Sequence, residues 1–60
     1  PESDIILNMI NIIRNNKTNL TEDQKILFLN NICHTAYIIS KGFDSSLQIS
    51  SCISNLILNL

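Results

Sequence analysis

The side chains able to do chemistry are few: one histidine (His34), two cysteines (Cys33 and Cys52) and nine charged residues in a chain of sixty. Histidine is the residue type most often used as a general acid or base. As a general acid or base it needs a nucleophile or an orienting carboxylate within hydrogen-bond reach. Cys33 is its sequence neighbour, but adjacent positions on a helix do not face each other. His34 therefore reads as a solvent-facing residue. Cys33 and Cys52 fall within or beside apolar stripes and read as two small buried hydrophobes; a disulfide between them is the alternative. One histidine and no Cys-x-x-Cys do not build a zinc site. Two Asn-x-Thr triplets, Asn16-Lys17-Thr18 and Asn19-Leu20-Thr21, have glycosylation form. Among nine asparagines, chance accounts for them. No catalytic, cofactor-binding or metal-ligating residue is expected, and the chain reads as a non-enzyme.

The charges have another use. Glu2 and Asp4, Glu22 and Asp23, and Asp44 precede or open three apolar-rich segments, while Arg14, Lys17 and Lys41 close the first two. That sign pattern opposes a helix dipole at each end, each charge worth about 0.3–1 kcal/mol. Lys25 alone is left over. With a net charge of −1, the chain is a poor candidate for phosphate neutralisation, so no direct nucleic-acid contact is expected. A helix-turn-helix reader would need basic or amide side chains on its recognition helix. The third segment offers Gln48 and Asn55 and no Lys or Arg. Apolar runs stop at four residues, too short for a membrane span or a signal-peptide core.

These charges punctuate an all-α, three-helix module, with helices at about 3–15, 22–41 and 46–60. Ser3 is the expected first N-cap. Thr21 with Gln24 forms a capping box, and Gly42, the single glycine, supplies the left-handed stop with Phe43 folding back toward Ile38. Asp44 or Ser45 caps the third helix, Ser45 with Gln48 repeating the capping-box spacing. Sixty residues make at most one domain, marginal alone. Starting at Pro1 without a methionine, it reads as a single self-association domain excised from a larger protein.

The helices are too apolar for a lone bundle. A monomeric bundle helix shows about three apolar positions in seven. Here the counts are seven of nine (5–13), ten of fourteen (26–39) and eight of fourteen (47–60). Ile49, Ile53, Leu56 and Leu60 repeat at four, three and four, the pattern of a coiled-coil seam. The expected core is Ile6, Ile10, Ile13, Leu29, Ile32 and Ala36. The expected interchain surface is Phe28, Tyr37, Ile49, Ile53, Leu56 and Leu60, building an intermolecular bundle as a dimer or a dimer of dimers.

The run Thr21-Glu-Asp-Gln-Lys-Ile-Leu-Phe-Leu-Asn-Asn-Ile-Cys-His-Thr-Ala-Tyr37 and the ending Leu58-Asn59-Leu60, over the whole sixty residues, resemble the C-terminal oligomerisation domain of the budding-yeast Rap-interacting telomere factor. The resemblance implies a homotetramerising scaffold in the nucleus, at chromosome ends, that cross-links a telomere-repeat-binding Rap protein. It implies no catalytic or metal residue. Without it the chain reads as intracellular. The alternative reading is a small helical heterotypic binder of the immunity or toxin-neutralising type.

Overall fold

The computed structural model describes residues 2–15 and 19–60; Pro1, Lys17 and the Asn16-Lys17-Thr18 triplet lie outside the described residues. The fold is all-α, with no strand among the described residues: α1 (Glu2–Arg14), α2 (Glu22–Ser40) and α3 (Ser45–Leu58). Ser3 lies inside α1 rather than capping it. At the start of α2 the capping box is complete. The Gln24 N–H donates to Thr21 Oγ1 at 3.1 Å and the Thr21 N–H donates to Gln24 Oε1 at 2.9 Å, satisfying two donors that a helix start would otherwise orphan.

Gly42 ends α2 with φ +95°, and its N–H donates to the Ile39 carbonyl at 2.9 Å. Phe43, expected against Ile38, stays 62% exposed, so the glycine geometry makes the stop without that apolar lock. Asp44, not Ser45, caps α3, accepting the Leu47 N–H at 2.9 Å. Lys25, without a role in the sequence pattern, pairs with Glu22 at 3.2 Å. Its stem lies covered while the partner carboxylate is exposed, so the charged end snorkels to water.

α2 is the hub. α1 and α3 each pack along it and scarcely touch one another. Met9 and Ile13 meet Leu20, Gln24 and Phe28 at one end, and Ile6 and Leu7 meet Ala36 and Ile39 at the other, so α1 runs antiparallel to α2. Leu56 and Leu60 come beside Phe28, so α3 is antiparallel to α2 as well. The buried core is Ile6, Ile13, Phe28, Ile32 and Cys52, with Ile10, Leu29, Ala36, Ile49 and Leu56 half-buried on it. Thr35 is buried among them because its hydroxyl donates to the Asn31 carbonyl one turn back, at 3.0 Å. A hydroxyl satisfied inside its own helix costs little to bury.

The molecule measures 32 × 21 × 14 Å. α1 and α3 each pack on α2 and barely contact one another, which leaves an open inner angle between them.

Candidate assembly surface

The inner angle holds a groove of about 480 Å³. Met9, Ile12 and Ile13 of α1 form one wall, and Leu56 of α3 with Leu60 just past its end form the other. Phe28 is part of the floor, and Leu20, Asn19 and Gln24 close the end near the start of α2. Gln24 is held by its capping-box bond, so the amide at that end is fixed in orientation. Among the described residues no ionisable side chain lines the groove, in a chain with nine Lys, Arg, Asp and Glu. The charges have gone to helix ends, which leaves the inner angle apolar.

The walls continue beyond the groove. Ile5, Met9 and Ile12 succeed one another at four and three residues along α1, and Ile53 and Ile57 are four apart on α3, with Leu60 just past its end. That spacing puts each helical set on one face. All but half-buried Met9 are exposed. The accessible area is 4342 Å², against about 3,950 Å² for a compact chain of this mass. What is unusual is the chemistry of that surface. Five apolar residues are buried while twelve large apolar residues are exposed among the described residues.

The six residues expected to face other chains divide three ways. Phe28 is 5% exposed and belongs to the protomer's own core: a side chain on the hub's inner face is covered by α1 and α3 before a partner can reach it. Ile49 and Leu56 are half-buried on that core, Leu56 also lining the groove. Ile53, Tyr37 and Leu60 are exposed, but not together. Leu60 is in the groove and Ile53 on the same face of α3. Tyr37 stands on the outer face of α2, with Lys41 Nζ 5.2 Å from its ring centre. Sequence reasoning missed Met9, Ile12 and Leu20 as site residues. The four-and-three spacing of Ile5, Met9 and Ile12 was the available signal, hidden because almost every position of α1 is apolar.

The cysteines separate too: Cys52 is buried as expected, whereas Cys33 is exposed, and both are free thiols. The disulfide alternative is thereby excluded in this structure. Among the described residues no group of three or more His, Cys, Asp or Glu is placed to hold a metal ion, and no helix is long and apolar enough to cross a membrane.

The family model for the replication factor C C-terminal domain matches residues 2–55, from the start of α1 into the last turns of α3. The chain belongs to that family. Domains of the replication factor C family mediate subunit–subunit assembly in the clamp loader, which makes proteins the class of partner. The resemblance to the telomere factor is overturned by this match. It rested on the sixty-residue extent, the helical run Thr21–Tyr37 and the ending Leu58-Asn59-Leu60, and on no signature motif. The tetrameric telomere scaffold, the Rap partner and the location at chromosome ends fall with it, and so does the immunity-type alternative. No curated protein and no solved structure matches the chain.

Proposed function

We propose that this chain is a non-catalytic assembly domain of a replication clamp-loader subunit, which docks other subunits of the loader through the open angle between α1 and α3. The observation that carries the reading is the groove itself, an apolar recess with no ionisable side chain among the described residues, walled by two helices that do not close on each other. A monomer has no use for leaving Ile12, Ile53, Ile57 and Leu60 in water, whereas an interface recovers about 25 cal/mol for each Å² of that apolar surface it covers. The domain works inside the cell, where the loader meets DNA. Its contribution there is to hold subunits together; it reads no base sequence and performs no nucleotide chemistry.

The test is a double substitution, Ile12→Glu with Ile57→Glu, in the chain mixed with the purified remaining loader subunits. Both positions are exposed, so the helices persist by circular dichroism. The expected result by light scattering is loss of the chain from the complex, because a buried unpaired carboxylate is very costly. Retention of the full complex mass contradicts the reading. Leu56 is left intact because it packs on the core, where a charge would confuse unfolding with dissociation.

A further inference from the structure

We draw no further inference here: the strongest candidate, the exposed stripe of Ile26, Asn30, Cys33 and Tyr37 along the outer face of α2, has nothing in the structure to show what covers it.

Discussion

Ile32 and Ile57 are the same side chain on adjacent helices of one small molecule, in opposite surroundings. Ile32 is 0% exposed, on the inner face of α2 between the helices that flank it. Ile57 is 62% exposed on α3, beside a groove that α1 walls from the other side without closing. The difference lies in topology, since both positions are equally apolar in the sequence. The hub is covered on its inner face by two neighbours, and each outer helix by only one. Packing both outer helices on one hub therefore buries one set of isoleucines and leaves another exposed.

The largest predicted effect is on the folding side of that comparison. Ile32→Ala should cost about 2–5 kcal/mol, a large part of the about 3–9 kcal/mol available to a chain of this length. Denaturant unfolding of the free chain should show it largely unfolded. Gly42→Ala comes next, at about 1–2 kcal/mol, because a non-glycine residue is strained in the left-handed region. A Cβ there meets nothing within 4 Å, so the loss in the same melt reports backbone strain alone. Thr21→Ala should cost about 1 kcal/mol by removing the cap. Ile57→Ser should change the stability of the free chain by less than about 0.5 kcal/mol. A large loss there would mean that the α3 wall belongs to the fold after all. The thiols sharpen the same contrast. A maleimide should label Cys33 in the native chain and reach Cys52 only on unfolding; equal rates would contradict the packing of α3.

Much of the fold was legible because its signals are local. The Thr21–Gln24 box, the positive-φ Gly42 and the charges at helix ends need only a few neighbouring residues to be read. The hub position of α2 was less so. Ten apolar positions in fourteen announce that a helix is covered on several sides, without saying whether its own chain or another covers them. Phe28 was assigned outward for that reason and lies inward. Thr35 looked polar in sequence and is buried, because its hydroxyl is satisfied by its own helix. The groove was the least legible feature. It depends on the angle between two helices that share no strong contact, and no periodicity within either helix encodes that angle.

The account's central claim is that partners enter at the inner angle. The most direct measurement is a methyl NMR titration of the isoleucine-labelled chain with the purified remaining loader subunits. Ile12, Ile53 and Ile57 should shift or broaden on complex formation, while Ile26, exposed on the outer face of α2, stays in place. If Ile26 moves and those three do not, the partner docks on the back of the hub and the account is wrong.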